Sequence, residues 1–309
     1  MFYGKEQSMK KRAVIFYHIC FGRNDGPPLF WFHNLKQQED LEVLHLVPDG
    51  DISEYGKFDY AFWVDYGEDG LPVNHEWKIP RQCGKTIYIA SDTHIDNGYR
   101  LKRARDFDYV FFNQKRAYKD YMKNIVQLGV GKVVQWLPHA VDETCYKKLE
   151  ILPKYDVCFI GHLQDVENYN GMTRIEALDK LFRAFPEFYY GTRNPAFPTI
   201  NIFEDAALKF SQSKIVFNIS IKDDINMRVF ETLTTGSFLL TNWLPTLGEL
   251  FEDGKDLVTY KTYDDMIEKT RYYLDHDDER IKIAESGYNK VIQNHTYKKR
   301  IETVLRIVK

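Results

Sequence analysis

The sequence has few cysteines, and they are widely spaced. Its 309 residues include four, at positions 20, 83, 145 and 158. No Cys-x-x-Cys pair occurs, so neither a structural zinc site nor a disulfide framework is indicated. This usage is typical of a protein in a reducing compartment, and we expect a cytoplasmic location.

Long apolar runs are also missing. No stretch approaches the ~20 residues that a membrane-spanning helix needs. The segment Met1–Arg12 is polar and lacks the apolar core of a signal peptide. The sequence therefore predicts a soluble chain without a membrane span.

An excess of charge of one sign is absent as well. Lysine and arginine number 42 against 45 aspartates and glutamates, for a net charge of −3. This balance gives no overall basic field that would draw the protein onto nucleic acid or an anionic membrane. A net charge near zero still allows a local basic patch, for instance around Lys115, Arg116 and Lys119.

Several sequence motifs for nucleotides, nucleophiles and metals do not occur. The chain has no Gly-x-x-x-x-Gly-Lys-Ser/Thr loop, no Gly-x-Gly-x-x-Gly and no nucleophile elbow. Asp-x-Asp pairs occur at 49–51, 106–108 and 275–277, a number near chance for a chain with 45 acids. We therefore predict no metal site.

What is present is an alternation of apolar runs and amphipathic stretches over a length that suits two domains. In the first half, strands are predicted at 12–18, 41–47, 58–64, 85–90, 109–113 and 133–137, with helices at 29–38, 97–105 and 114–124. Such alternation predicts an α/β fold with parallel, doubly wound sheets. Ligands bind at the carboxyl ends of such strands, so the loops at 22–26, 65–70 and 91–96 and residue 113 are the places to look for chemistry.

The second half repeats the pattern after a charged linker at 143–154. Strands are predicted at 157–161, 187–190, 215–219, 237–241 and 257–260, and helices at 173–185, 203–211, 264–274, 278–294 and 297–308. A further helix follows the strand at 215–219. Asp223 and Asp224 are expected to cap its start, and Gly236 to end it.

Arg228 and Glu231 lie three residues apart on that helix and share one face near its N-terminus. A helix N-terminus with a neighbouring guanidinium favours binding of phosphate, and a carboxylate one turn further on can accept two ribose hydroxyls. The pair therefore indicates a nucleoside diphosphate site. The alternative is a surface Arg–Glu ion pair on an ordinary helix.

Four motifs in this region resemble the donor domain of GT-B glycosyltransferases, and most closely the CgeB-like (spore-maturation) branch of the group 1 enzymes. They are Asn-Met-Arg-Val-Phe-Glu at 226–231, Thr-Gly-Ser-Phe-Leu-Leu-Thr at 235–241, Leu-Phe-Glu-Asp-Gly-Lys-Asp at 250–256 and His-Thr-Tyr-Lys-Lys-Arg at 295–300. The resemblance implies two Rossmann-like domains that face a cleft. The N-terminal domain would span 1–142, with 297–309 crossing back to it, and the donor domain 143–296.

The resemblance also implies which residues bind the donor: Gly161, Arg174, Tyr190, Asn226, Arg228, Glu231 and Thr241. Gly161 would allow a close backbone approach to phosphate, Arg228 would bind the diphosphate, Glu231 the ribose and Tyr190 the nucleobase. The family's second acidic residue would fall at Asp223, which is one methylene shorter than the usual glutamate and can equally be a helix cap.

Acceptor chemistry is predicted in the loop after the fourth strand. Asp92 and His94 are the candidate catalytic residues, because either could orient the acceptor hydroxyl or take its proton. Asp92 can equally cap the next helix. His18 and His139 are weaker alternatives.

The resemblance implies a metal-independent hexosyltransferase without a cofactor, which moves a sugar from UDP-glucose or a related UDP-hexose with retention of configuration. The acceptor could be a protein, a polysaccharide or a modified DNA base, and the oligomeric state is not predicted. Two alternatives stay open: a nucleotide-sugar epimerase of the same fold, and a catalytically silent protein that binds sugar nucleotides.

Overall fold

The computed structural model describes residues 10–17, 26–47, 52–65, 79–91, 93, 97–124, 133–163, 165–192 and 204–309. Contacts divide the chain into two compact units, Met1–Pro138 with Ile301–Lys309, and His139–Arg300. Each unit has its own parallel sheet and its own apolar core.

The first unit contains a six-stranded parallel sheet with the order β2-β1-β3-β4-β5-β6. Its strands are β1 Lys11–Phe16, β2 Leu41–Leu46, β3 Phe58–Asp65, β4 Cys83–Ala90, β5 Tyr109–Phe112 and β6 Val133–Trp136. The described helices are α1 Pro27–Lys36, α2 Asn97–Arg103 and α3 Lys115–Lys123, with 3₁₀ turns at Ser53–Tyr55 and Ala104–Asp106.

Aromatic side chains fill one face of this sheet. Trp63 of β3 stacks on Phe16 of β1 with ring centroids 4.3 Å apart, and Phe107 packs against both Trp63 and Tyr88. These rings are almost fully buried. The central strands are apolar on both faces because a parallel sheet is covered on both sides.

The second unit contains a five-stranded parallel sheet with the order β11-β10-β9-β7-β8. Its strands are β7 Tyr155–Ile160, β8 Phe188–Gly191, β9 Ser213–Asn218, β10 Leu239–Asn242 and β11 Val258–Tyr260. Its helices are α4 Arg174–Ala184, α5 Glu204–Ser211, α6 Met227–Thr234, α7 Tyr263–Asp275, α8 Asp277–Asn294 and α9 Tyr297–Val308, with a 3₁₀ turn at Leu247–Glu249. The last helix begins in this unit and ends in the first.

The strand order of the second sheet changes direction between β7 and β9. From β7 the chain goes to β8 on one side, and then returns to form β9, β10 and β11 on the other side. At such a switch point the loops after two neighbouring strands diverge and leave a crevice at their carboxyl ends. In this sheet the switch point lies after Ile160 of β7 and at Asn218 of β9.

Two helix ends in the second unit follow local capping rules, and a third is an exception to the prediction from the sequence. Thr173 caps α4 by accepting a hydrogen bond from the Glu176 amide at 3.3 Å, and Gly236 ends α6 in the left-handed conformation, at φ +70°. The exception is the start of α6, where the prediction that Asp223 and Asp224 cap the helix is wrong. Residues 221–224 form a turn closed by the Asp224 amide and the Ile221 carbonyl, so the helix begins at Met227, with Asn226 as its N-cap.

Backbone hydrogen bonds tie residues 139–142 to the start of α9. The Tyr297 amide donates to the Val141 carbonyl at 3.0 Å, and the Val141 amide donates to the His295 carbonyl at 3.2 Å. The contact division accordingly assigns residues 139–142 and 297–300 to the second unit. No helix in the described part of the chain is long and apolar enough to cross a membrane.

Candidate functional site

Polar residues gather where the strands of the second sheet end. Gly161 directly follows β7, Asn218 is the last residue of β9, and Thr241 lies at the end of β10. The N-terminus of α6 points to the same edge, because α6 follows β9 through one short loop. This edge is the switch point of the sheet, and so the expected ligand site.

Arg228, the second residue of α6, extends over this edge. One terminal nitrogen of its guanidinium donates to Asn218 Oδ1 at 2.8 Å, and the guanidinium carbon lies 4.7 Å from the centre of the Phe159 ring. The side chain is half-buried. Burial lowers the pKa of Arg228, while the nearby charge of Glu231 opposes that shift. The result is a fixed positive charge beside a helix N-terminus, which is the arrangement that binds phosphate.

Gly161 provides the space that this guanidinium occupies. A Cβ atom on Gly161 would overlap Nη2 of Arg228 and would lie 3.1 Å from Cζ of Phe159. Glycine thus leaves room here for a close approach of side chains, and its backbone is not left-handed. The predicted phosphate-site residues Gly161 and Arg228 are direct neighbours.

Asn218 is the centre of a hydrogen-bond network that the sequence analysis missed. Its Oδ1 atom accepts from Arg228 and from Asn226 Nδ2 at 3.1 Å, and its Nδ2 atom donates to Thr241 Oγ1 at 2.9 Å. The Tyr260 hydroxyl donates to its carbonyl at 2.8 Å. Asn218 thus connects three of the predicted donor-binding residues, although it is itself fully buried.

Some buried polar atoms at this edge make no hydrogen bond within the described structure. They are Asn226 Oδ1, Ser220 Oγ and Asn242 Nδ2. Buried polar groups in folded proteins are nearly always paired, with protein or with water or a ligand. Hydrogen-bonding capacity therefore remains unused at this edge of the sheet, including on Asn226, which shares Asn218 as a partner with Arg228.

Arg174, at the start of α4, binds two loops of the protein itself. Its guanidinium donates to the carbonyl of His162 at 2.7 Å and to the carbonyl of Ile219 at 2.9 Å, and it lies 5.5 Å from the centre of the Phe159 ring. Burial and the charge of Arg228 lower the pKa of Arg174 to about 9, so the group stays charged at neutral pH. Arg174 therefore fixes the loops after β7 and β9, and adds a second positive charge at the site.

Tyr190 lies on the other side of Gly161, at the end of β8. Its ring stacks on Phe159 with centroids 6.2 Å apart, and its hydroxyl donates to the Gly161 carbonyl at 3.3 Å. Phe159 thus contacts Tyr190, Arg174 and Arg228, a role that its place in an apolar strand did not reveal.

The two predicted catalytic residues, Asp92 and His94, lie outside the described residues, as does the alternative His18. Their neighbours are described. Thr93 donates twice to Gln114 Oε1, from its amide at 3.2 Å and from its hydroxyl at 2.9 Å. Ser91 is hydrogen-bonded to Asn113 at the end of β5. Ser91 and Thr93 are therefore both bound to residues that directly follow β5.

His139, the other alternative, is buried in the second unit, and its carbonyl accepts from Arg300 at 2.9 Å. Within the described ranges, no three His, Cys, Asp or Glu side chains come together as metal ligands would.

Comparison with known proteins agrees with this architecture. A family model described as "Glycosyl transferase-like" matches residues 190–306. The match does not identify a branch, so the CgeB-like assignment stays a prediction. No curated protein sequence matches the chain.

Solved structures resemble the chain at low sequence identity. Sucrose-phosphate synthase from Thermosynechococcus elongatus is 8% identical, covers 96% of this chain and 98% of its own, and has a TM-score of 0.66. Anabaena Alr3699/HepE in complex with UDP and glucose is 10% identical over 96% of this chain and 99% of its own, with a TM-score of 0.62. The chain has the GT-B fold.

A third similar structure is larger than this chain. The pneumococcal O-GlcNAc transferase GtfA, in complex with UDP and GlcNAc, is 11% identical and has a TM-score of 0.52. The match covers 74% of this chain and 52% of GtfA, so this chain corresponds to about half of that protein. At such identities the likeness establishes the GT-B fold alone.

Proposed function

We propose that the protein is a glycosyltransferase that moves a hexose from a UDP-sugar to an acceptor hydroxyl. The observation that carries the proposal is the position of Arg228, which lies at the switch point of the second sheet, beside Gly161 and the N-terminus of α6. The family match and the UDP-bound neighbours of the same fold support it.

The main task of the second unit would be to hold the leaving diphosphate. When the bond between the anomeric carbon and the phosphate oxygen breaks, negative charge develops on that oxygen. Arg228 and the amide groups at the start of α6 offer positive charge that is already in position. A charge-assisted hydrogen bond to phosphate contributes roughly 1.5–3 kcal/mol, and no metal ion is needed for this step.

The other predicted donor residues would orient the nucleoside and the sugar. Tyr190 would contact the uracil from the β8 side, and Glu231 would accept the ribose hydroxyls one turn into α6. Asn226 and Thr241, which share Asn218 as a partner, would bind the diphosphate or the sugar. Arg174 would act through the two loops that it binds.

The first unit would bind the acceptor. Its hydroxyl oxygen forms the new bond to the anomeric carbon, and the departing diphosphate accepts the hydroxyl proton when configuration is retained. Asp92 and His94 would orient that hydroxyl. A protein, a polysaccharide or a modified DNA base would serve as acceptor in the cytoplasm.

The test is release of UDP from a panel of nucleotide sugars, with Arg228→Ala and Glu231→Ala compared with the wild type. We expect slow release from one UDP-hexose, lost in both variants, and unchanged by EDTA. If no nucleotide sugar binds, or if both variants bind as the wild type does, the donor site has been assigned wrongly.

The same panel separates the two alternatives. An epimerase would convert one UDP-hexose into another without releasing UDP, which chromatography of the sugar nucleotides detects. A catalytically silent protein would bind a UDP-sugar and give neither UDP nor a new sugar nucleotide, whatever acceptor is added.

A further inference from the structure

Charge is strongly segregated within the first unit. Between residues 100 and 132 the sequence has nine basic residues and three acidic ones, whereas residues 39–76 have eleven acidic residues and a single basic one. The net charge of −3 for the whole chain hides this division. A local excess of positive charge raises the local concentration of anions and speeds their association.

The basic segment exposes charges on two neighbouring helices. On α3, Ala117 and Tyr121 are buried against the sheet, whereas Arg116, Lys119 and Lys123 are exposed at the i, i+3, i+7 positions of a single stripe. Lys102 and Arg105, on the neighbouring α2 and its 3₁₀ extension, are exposed as well. We call these five residues the basic face: Lys102, Arg105, Arg116, Lys119 and Lys123.

Few acidic groups neutralise the basic face. Asp120 is the only acid on α3, and its carboxylate lies 3.9 Å from Nε of Arg116, which is still 65% exposed. Asp106 is exposed at the end of the 3₁₀ turn. Asp108, which precedes β5, is exposed as well, so three acids oppose the five cations and the surface keeps a net charge of about two.

The stripe starts at the edge of the sheet where the acceptor is expected. α3 follows β5 within two residues, and Lys115, its first residue, lies with its ammonium 4.6 Å from the centre of the Trp136 ring, beside the end of β6. From Arg116 to Lys123 the stripe runs along the helix for about 10 Å, at 1.5 Å per residue. An elongated anionic molecule could lie on it with one end at the sheet edge.

We propose that the basic face binds the body of an anionic polysaccharide, and that the sugar at its end is the acceptor. This inference rests on the proposed function. It gives the acceptor a chemical class, a chain of sugars that carry carboxylate or phosphate groups. Because all five cations are exposed, the attraction is weakened strongly by salt.

The structure favours a polysaccharide over two other polyanions. Proteins that bind single-stranded nucleic acid stack bases on exposed aromatic rings, and the only large exposed hydrophobic residue of α3 is Met122. Helices that lie on membranes insert an apolar face with Trp, Phe or Leu, but the apolar face of α3, with Ala117 and Tyr121, packs on the sheet.

The test is binding of a labelled polygalacturonate oligomer, with neutral dextran of equal length as the reference ligand. The α3 variant carries Arg116→Glu, Lys119→Glu and Lys123→Glu. Its matched control carries the same change to glutamate at Arg271, Lys282 and Lys290, three exposed cations on helices of the second unit. We expect the α3 variant to bind about tenfold more weakly, the control to bind as the wild type does, and dextran not to bind.

Two further measurements complete the test: release of UDP from the donor, and binding of three other polyanions. UDP release from the donor should be equal in the wild type and both variants, since none of the changed residues belongs to the donor site. Failure to bind UDP would contradict the proposed function instead. The inference is overturned if the α3 variant binds polygalacturonate as the wild type does, or if the basic face prefers phosphatidylglycerol vesicles, oligothymidylate or polyglutamate.

Discussion

The guanidinium of Arg228 donates to the side-chain oxygen of Asn218 at 2.8 Å. The two residues come from different elements, since Asn218 ends β9 and Arg228 lies in the first turn of α6. This hydrogen bond orients the positive charge at the switch point of the sheet, in the space beside Gly161. Asn218 therefore acts as a positioning residue for the proposed diphosphate site.

Replacing Asn218 separates its structural role from its electrostatic role. Asn218→Leu leaves Arg228 and Asn226 without their acceptor, so we expect the free energy of unfolding to fall by about 1–3 kcal/mol and UDP affinity to fall as well. Asn218→Asp keeps an acceptor for Arg228 and should preserve the fold, but its added negative charge should weaken UDP binding. Urea denaturation and UDP titration measure the two effects. If Asn218→Leu binds UDP as tightly as the wild type does, Asn218 does not contribute to the UDP site.

Gly161→Ala tests the close approach of Arg228. The new methyl group needs the volume of Nη2 and must displace the guanidinium, since the strand-end backbone cannot move as easily. We expect UDP affinity to fall about tenfold, which is about 1.4 kcal/mol, with little change in thermal stability. Gly248→Ala is the matched control, because a Cβ there has no heavy atom within 4 Å. Equal UDP affinity in the two variants would show that UDP binding does not depend on the space that Gly161 leaves for Arg228.

Gly287, in the middle of α8, is expected to be essential for packing. A Cβ atom there would overlap the Asp256 carbonyl and would lie 2.7 Å from a methyl group of Leu233. Alanine normally stabilises a helix relative to glycine by about 1 kcal/mol, but overpacking costs about 1–3 kcal/mol. We therefore expect Gly287→Ala to lower the free energy of unfolding, whereas Asn289→Ala, at an exposed position of the same helix, should raise it slightly. A more stable Gly287→Ala protein would contradict the packing described for α8.

His295 should make the stability of the second unit depend on pH. Burial, together with the charge of Arg300, lowers its pKa to about 3, and Arg300 donates to its Nδ1 atom at 3.0 Å. The folded state thus holds a neutral ring, while the unfolded chain takes up a proton below its ordinary pKa of 6.5. The stability that His295 provides is complete above pH 6.5 and is lost as pH falls toward 3, by about 3 kcal/mol at pH 4.

The matched variant is His295→Asn, whose side-chain oxygen can accept from Arg300 without titrating. Urea denaturation of both proteins between pH 7 and pH 4 makes the comparison. We expect the wild type to lose more stability than the variant as the pH falls. Parallel pH profiles would show that His295 is not a buried neutral group.

Much of the fold could be predicted from the sequence because the apolar strands are continuous. The runs at Ile215–Ile219 and Val157–Gly161 correspond to β9 and β7 within two residues at each end. The start of α6 was not predictable from capping chemistry alone. Asp223 and Asp224 are residue types that suit an N-cap, but both belong to the backbone turn at Ile221–Asp224. The N-cap of α6 is therefore Asn226.

The site was predicted less completely. The motif around Arg228 and the glycine after β7 pointed to two residues that the structure brings into contact. Asn218 was not singled out because it lies within a predicted apolar strand, and its partners lie 8 to 42 residues later in the sequence. A buried asparagine at the end of a strand next to a switch point is the signal that could have found it. The roles of the donor residues, and of Asp92 and His94, stay predictions.

The central claim is that Arg228 binds the diphosphate of a UDP-sugar, and calorimetric titration tests it most directly. UDP and uridine are titrated into the wild type, Arg228→Gln and Arg183→Gln, an exposed arginine that is ion-paired on α4. We predict that Arg228→Gln weakens UDP binding by about 1.5–3 kcal/mol and leaves uridine binding unchanged, whereas Arg183→Gln changes neither. Equal UDP affinity in all three proteins would contradict the account.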